Sequence, residues 1–557
     1  METSLPVTAP ELSDLPSGTS SQSGGRPVGL LSRVGLFAAC FVVAVLPRLL
    51  ALDASLTSDE GFWTQRTLRF GAALAHQDWS STYRSGHPGV TLMWVGLLGV
   101  GPERLAPFLP NWSMDPLLVQ RAPGYLEVVA AERRATAVAT AALGALTVLL
   151  ACRLLGTGPG LAGGLLLLLD PYLVGSSQVM HVDALLAPLM TVAALAGLIY
   201  WTRDSSWSYL VLSGIAAGLA LLTKAPAAQV VIFLWLVALL TGPWRSGWQQ
   251  LRPFLVWAGV AALVYWVLWP ALWDDPIAVL GQVAVFALSV GGNPHELPNF
   301  FLGRTVQSDP GPLYYPVALA FRLGPLAVAG LVALPFGLRF RSAQRGPVAW
   351  LIAYVVLFVA VMTLGAKKFD RYALPALMVL DLLAGAGLWL ALGALRGRLA
   401  VIALGAATGI QIALLGLAYP YPLAFYNPLL GGAAGAEHAI VVGWGEGLEQ
   451  TAAYLNAQPG ADGLVAATLY DDVLRPLFRG RTIGIGDPER NYHEVDYYDY
   501  YVIYVNMAQR RFIPEAVARV MAAEPPEFTA VVHGVEYAWV YRVPRELQEL
   551  DRDPGRG

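Results

Sequence analysis

Charge is scarce in this chain. Only 13% of its 557 residues are Asp, Glu, Lys or Arg, about half of the roughly 25% that a soluble domain carries. That shortage excludes an ordinary soluble enzyme. The formal net charge is −3, so no basic surplus points to nucleic acid as a partner. There are two cysteines, Cys40 and Cys152, each inside an apolar run. They provide neither a disulfide framework nor a metal-type spacing and read as small hydrophobes in helices. A phosphate-cradling glycine loop is also missing. Gly443-Trp-Gly445-Glu-Gly447 has the spacing GxGxG rather than GxGxxG, so it reads as a tight strand-to-helix turn. Residues 1–28, rich in Ser, Gly, Pro and Thr, lack the cationic start and short apolar centre of a signal peptide. They are expected to form a disordered cytoplasmic tail.

Apolar sequence fills the space that charge leaves: 56% of the residues are hydrophobic. A first run, GLLSRVGLFAACFVVAVLPRLLAL, is long enough for a span of ~20 residues. Further runs fall at roughly 134–155, 159–176, 184–201, 208–224, 226–241, 254–273, 314–338, 347–365, 372–394 and 399–418. The expected architecture is a polytopic α-helical membrane domain over 29–424, with about eleven spans.

Two longer polar stretches, 53–133 and 274–313, interrupt it. Within the first, GFWTQRTLRFGAALAH predicts an amphipathic helix lying in the membrane interface. Asn111-Trp-Ser113 matches the N-glycosylation acceptor pattern, a match common by chance. From 425 to 545 strand-like runs (AIVVG, GLVAATL, YYVIYVNM, FTAVVHG, YAWVYRV) alternate with helix-like ones (EGLEQTAAYLNA, PEAVARVMAAE). That alternation predicts a small α/β domain. Residues 546–557 read as a frayed tail.

Basic residues fix an orientation through the positive-inside bias. With the amino terminus cytoplasmic, Arg153, Arg203, Arg245, Arg252, Arg339, Arg341, Arg345, Arg396 and Arg398 all fall inside. The two loops and the carboxy-terminal domain then fall outside. A few cations run against the bias: Arg48, Lys224, Lys367, Lys368 and Arg371 fall at the outer ends of spans. A lone lysine there would simply snorkel to head groups. Several converging on one leaflet suit an anionic lipid phosphate.

Acids gather on the same side. Asp59 and Glu60 follow the first span directly, and Asp183 opens the span near 184. Ser58 or Asp59 could cap the helix that follows, and Asp183 could cap its own span. Both roles are compatible with catalysis. His181 beside Asp183 could bind phosphate or merely sit in the interface.

These segments, taken together, resemble the membrane glycosyltransferases of the GT-C fold, especially the bacterial protein-O-mannosyltransferase and aminoarabinose-transferase group. The resemblance rests on Asp59-Glu60 after the first span, Tyr83…His87-Pro88 and HVDALLA at 181–187. It continues through GLALLTKAPA at 218–227, FFLGR…GPLYYPVALAFRLGP at 300–325 and KKFDRYALPAL at 367–377. It implies Asp59 as general base, Glu60 as its companion and Asp183 as a second acid of the outer site. It implies Lys224, Lys367, Lys368, Arg371 and Tyr372 as the group that holds a donor phosphate. Aminoarabinose transferases carry Glu-Lys-Pro where this chain has Gly86-His87-Pro88. His87 could replace the lysine only while protonated, which weakens any assignment of aminoarabinose as the sugar.

The implied activity is inverting transfer of a sugar from a polyprenyl-phosphate donor to an extracytoplasmic hydroxyl on a protein, lipid or glycan. No cofactor is required. A divalent metal is allowed, since some relatives use one, but no ligand spacing demands it. A transporter or lipid flippase is the alternative, as is a non-catalytic relative. Transporters place substrate near the midplane and are built from repeats. Here the acids lie at one face and no internal repeat is evident.

Overall fold

The structure is a computed structural model that describes residues 30–110, 119–241, 247–339, 341–393, 398–485 and 498–544. The two terminal tails and the Asn111 acceptor pattern lie outside the described residues. This is a multi-pass membrane protein. Among the described residues six helices are long and apolar enough to cross a bilayer, or eight if two bent pairs each count as one. The six include Leu30–Arg48, Tyr125–Leu155, Val182–Thr202 and Ser342–Leu364. Three shorter apolar helices, Trp207–Thr223, Ala228–Thr241 and Gly247–Val267, complete the eleven runs read from the sequence.

Several expected spans differ in detail. The 159–176 run is two helices, Thr157–Leu168 and Pro171–Ser177, bent by 60°. Asp170 starts the second by accepting the Leu173 N–H at 2.8 Å, with Pro171 at the first helical position, where its missing N–H costs nothing. The 314–338 run bends by 112° between Tyr314–Arg322 and Pro325–Arg339, because Pro325 cannot continue the preceding helix. The span placed at 134 begins at Tyr125 and runs 31 residues, about 46 Å at 1.5 Å per residue. The loop expected over 274–313 contains an apolar helix, Pro276–Gly292, and a short hairpin of β1 (Asn299–Phe301) with β2 (Arg304–Val306).

The helix Glu60–Ala75 forms where the pattern placed it, but it does not lie free in an interface. Trp63, Thr64, Thr67, Phe70 and Ala72 are buried on several of its faces, against helices Val90–Leu105 and Tyr125–Leu155. Polar side chains at helix spacing can mark a contact inside the protein as well as a face toward water.

Small residues let the central helices approach closely. A Cβ on Gly385 would lie 2.3 Å from the Gly163 Cα, and one on Gly330 would lie 2.1 Å from the Ala384 carbonyl oxygen. These contacts pack helix Leu374–Leu392 against Thr157–Leu168 on one side and Pro325–Arg339 on the other.

The carboxy-terminal part is a five-stranded mixed sheet in the order β4-β3-β5-β7-β6. Its strands are β3 (Val465–Thr468), β4 (Arg481–Gly484), β5 (Tyr500–Tyr504), β6 (Phe528–Val532) and β7 (Val535–Arg542). Strand β3 pairs in parallel with β4 and β5, whereas β7 runs antiparallel to β5 and β6. The AIVVG run is not in this sheet; Ile440 makes only an isolated bridge to Phe301. Strand β4 had no recognisable pattern, being only four residues long and starting with Arg.

Candidate active site

Three chain breaks build the site. The first is the start of helix Glu60–Ala75. Asp59 stands at its N-cap position without a side-chain capping bond, which leaves its carboxylate free to face elsewhere. The second is the start of helix Val182–Thr202. Capping there falls to His181, whose Nδ1 accepts the Asp183 N–H at 3.2 Å, so the Asp183 carboxylate is also released. The third is the end of helix Trp207–Thr223. Lys224 has an extended backbone there, and a 3₁₀ turn containing Pro226 follows. The freed Thr223 carbonyl, which is buried, is taken up by the Gly89 N–H at 3.1 Å. Gly89 sits at φ 62°, and a Cβ there would meet the Trp63 ring at 2.1 Å.

With Arg371, from the 3₁₀ turn Asp370–Ala373, these breaks bring four charges into one line. Arg371 donates to Asp59 at 3.1 Å, and its Nε lies 3.7 Å from Asp183. Lys224 donates to the other oxygen of Asp183 at 2.8 Å and rests 4.1 Å above the Tyr372 ring. His181 lies 3.5 Å from Asp59 and 3.4 Å from Asp183. Burial alone would raise the Asp59 pKa, but the charges of Arg371 and Lys224 outweigh it and hold the carboxyl below the usual range. Burial drives the His181 pKa well below its ordinary value, with Arg371 and Lys224 opposing the pull of Asp59. The imidazole is therefore a neutral partner.

A cavity opens on each side of this line. The first, of ≈ 290 Å³, is polar and reaches Asp59 and Arg371 from the carboxy-terminal domain. The second, of ≈ 440 Å³, is lined mostly by apolar groups, including Ile232, Val290, Val361 and Met362. Asp183, Lys224, Lys367 and Tyr372 meet at its polar part, and His87 lines it too. Burial, helped by the charge of Lys224, pushes the His87 pKa down to about 3. It is thus uncharged at neutral pH and supplies no cation in place of the lysine.

Three of the expected residues stand apart. Glu60 turns away from both cavities. It forms a two-oxygen ion pair with Arg133 and accepts the N–H groups of Thr57 at 2.9 Å and Met180 at 3.0 Å. It is an anchor for the loop that carries Asp59, because a buried carboxylate is stable only when fully paired. Lys368 is fully buried and pairs with Asp309, beyond the hairpin, so it does not join the Lys224 group. Arg48, too, is occupied elsewhere and donates to the carbonyls of Ala44 and Leu168.

Other contributors were not singled out. Trp444, in the glycine-rich turn, stacks 4.4 Å from Arg371 and meets the His181 ring edge-on at 4.9 Å. Its carbonyl takes the Ser58 N–H at 3.1 Å. Gly443, Gly445 and Gly447 all have positive φ, and a Cβ on Gly445 would meet the Leu56 carbonyl at 2.1 Å. Three glycines let that turn press onto the Asp59 loop. Arg322 is held between the rings of Tyr172 and Tyr426 and pairs with Asp370. The only advance signal for it was its place in the GPLYYPVALAFRLGP segment. Among the described residues no group of three or more His, Cys, Asp or Glu side chains is placed to hold a metal ion.

Residues 128–270 match the family described as dolichyl-phosphate-mannose-protein mannosyltransferase. Over the whole chain the structure is similar to that of ArnT from Cupriavidus metallidurans bound to undecaprenyl phosphate. The identity is 15%, the TM-score 0.51, and the match covers 92% of this chain and 98% of that one. The chain has the GT-C fold. The apo state of the same ArnT matches with 17% identity, TM-score 0.51 and the same coverage. No curated protein matches by sequence. In this GT-C chain the matched segment runs from helix Tyr125–Leu155 to the end of Gly247–Val267, and therefore includes Asp183 and Lys224.

Proposed function

We propose that this chain is an inverting glycosyltransferase that moves a sugar from a polyprenyl-phosphate donor to an acceptor hydroxyl outside the cytoplasm. The observation that carries this reading is the continuous line Asp59–Arg371–Asp183–Lys224. It joins a polar cavity to an apolar one. An isoprenoid tail suits the apolar cavity, and its phosphate suits Lys224, Lys367 and Arg371. The undecaprenyl phosphate named with the similar ArnT structure agrees with that assignment.

The acceptor enters through the polar cavity. Its hydroxyl gives its proton to Asp59 as its oxygen bonds to the anomeric carbon. The bond from that carbon to the phosphate oxygen breaks, and the electron pair leaves on the lipid phosphate. A positioned base contributes roughly 10²–10⁴-fold. Fixed cations stabilise the charge that develops on the leaving phosphate. A single displacement inverts the anomeric centre. The chain's own side chains supply every charge these steps use, so the reading needs no cofactor.

In this reading the protein lies in the cell membrane with its amino terminus in the cytoplasm and the site outside. Asp183 opens its helix at one end. Arg203 closes it at the other, where Arg153 and Asp204 also pair. The argument for the sides is the positive-inside bias. The test is to reconstitute the full chain in vesicles with a radiolabelled polyprenyl-phosphate sugar and a crude acceptor fraction. Label moving from lipid to acceptor is expected. Labelled lipid crossing the bilayer unchanged would instead establish a flippase.

A further inference from the structure

We infer that the acceptor carries an anionic group, a carboxylate or a phosphate, and that Arg510 of the carboxy-terminal domain holds it. This inference rests on the glycosyltransferase reading of the polar cavity. Charged residues in that cavity are otherwise engaged. Arg371 faces Asp59 and Asp183, and Arg322 faces Asp370. Asp471 pairs with Arg475, Asp472 has contacts of its own, and Glu446 accepts the Trp444 N–H at 2.7 Å.

Arg510 is different. It lines the same cavity and is only 7% exposed. Its Nε is buried without a hydrogen-bond partner, and its guanidinium pairs with no carboxylate among the described residues. Tyr470, Tyr314 and Arg371 line the same cavity and lie close enough to act on its charge. One turn earlier in the chain, the buried Asn506 Oδ1 also lacks a partner.

An isolated buried cation is costly. A guanidinium offers five donors in a planar fork suited to two oxygens of one anion. The bound ligand is the group that would satisfy it. Arg510 comes from the carboxy-terminal domain and Asp59 from the membrane domain. The acceptor would therefore bridge them, with its anion at Arg510 and its hydroxyl at Asp59. Arg510 is then a determinant of acceptor specificity, separate from the donor cations that line the apolar cavity.

The test uses the full-length protein in nanodiscs and three probes: glucose, glucuronate and glucose 6-phosphate. Ligand-observed NMR would give their affinities for the wild type, Arg510→Gln, Arg510→Lys and Lys224→Met. At least one charged probe is expected to bind at least tenfold more tightly than glucose, and the preferred one identifies the acceptor's group. Arg510→Gln should remove that preference and Arg510→Lys should retain part of it. Lys224→Met should remove only any phosphate bound in the apolar cavity.

Without probe, Arg510→Gln should melt no lower than the wild type, because it removes an unpaired buried charge. Unchanged charged-probe binding in Arg510→Gln would overturn the inference. So would a lowered melting temperature, which would assign Arg510 to packing. Arg510-dependent binding without any sugar transfer would leave the anion site standing and remove the glycosyltransferase reading. Transfer to anionic acceptors at an unchanged rate in Arg510→Gln would do the reverse.

Discussion

Arg371 touches Asp59 at 3.1 Å although the two residues are 312 positions apart in the chain. The contact places a carboxylate at the mouth of one cavity directly against a cation that also reaches toward Asp183 and the other cavity. A base used at neutral pH must be ionised, and this pairing keeps Asp59 so.

The first prediction concerns that ionisation. Asp59 is held below the usual carboxylate range by Arg371 and Lys224 acting against burial. Activity limited by Asp59 should thus persist down to acidic pH and fall only as the pH drops through the depressed pKa. The same sign applies to stability. The contribution of the pair is present above the unfolded-state value of about 3.9 and is lost as pH falls through the folded one. In Arg371→Gln burial is opposed less. The acidic limb of the rate profile should then move to higher pH. A limb that stays in place would detach Asp59 from it.

Glu60 and Arg133 provide the second. Their side chains are 2% and 4% exposed. Removing one partner of such a pair costs about 3–5 kcal/mol. Glu60→Gln and Arg133→Met should therefore lower the unfolding temperature of the detergent-solubilised protein strongly, whereas Asp59→Asn, at a side chain about a third exposed, should lower it less. A stable Glu60→Gln variant that has lost turnover would return Glu60 to the chemistry.

Third, the lysines should separate by function. Lys224→Met and Lys367→Met are expected to weaken donor affinity by roughly tenfold each, about 1.4 kcal/mol per contact. Lys368→Met should leave donor affinity alone, since its ammonium faces Asp309. His87→Gln should have little effect on the pH dependence of donor binding between pH 5 and 8, because the imidazole is already neutral. Titration with the polyprenyl-phosphate donor checks all four.

Fourth, Trp444→Ala removes the ring that lies over Arg371. The arginine should gain freedom, and turnover should fall while donor affinity changes less. An unaltered rate in Trp444→Ala would show that the turn serves only to dock the domain.

Much of this was legible in the sequence. Long apolar runs declare themselves by length, and each of the eleven corresponds to a helix or a bent pair. Asp59, Asp183, Lys224 and Arg371 stood out because charge at a membrane boundary is rare. Bends and burial were harder to see. A run such as 314–338 has the same hydropathy whether it is straight or turned by 112° at Pro325. Adjacent residues can also face opposite ways. Asp59 and Glu60 differ by one step of a helix start, and Lys367 and Lys368 by one step of a loop, yet only the first of each pair lines a cavity of the site. Trp444 and Arg510 were hidden for another reason. Their relevance comes from how the carboxy-terminal domain docks, which no local pattern encodes.

The most direct measurement compares cells lacking the protein that are supplied with either the wild type or Asp59→Asn, using mass spectrometry of lipid-linked sugars and of extracytoplasmic glycans. The expected result is a sugar addition that the wild type restores and the variant does not, with a polyprenyl-phosphate sugar accumulating in the variant. Identical profiles for the two, with both proteins present in the membrane at equal levels, would contradict the account.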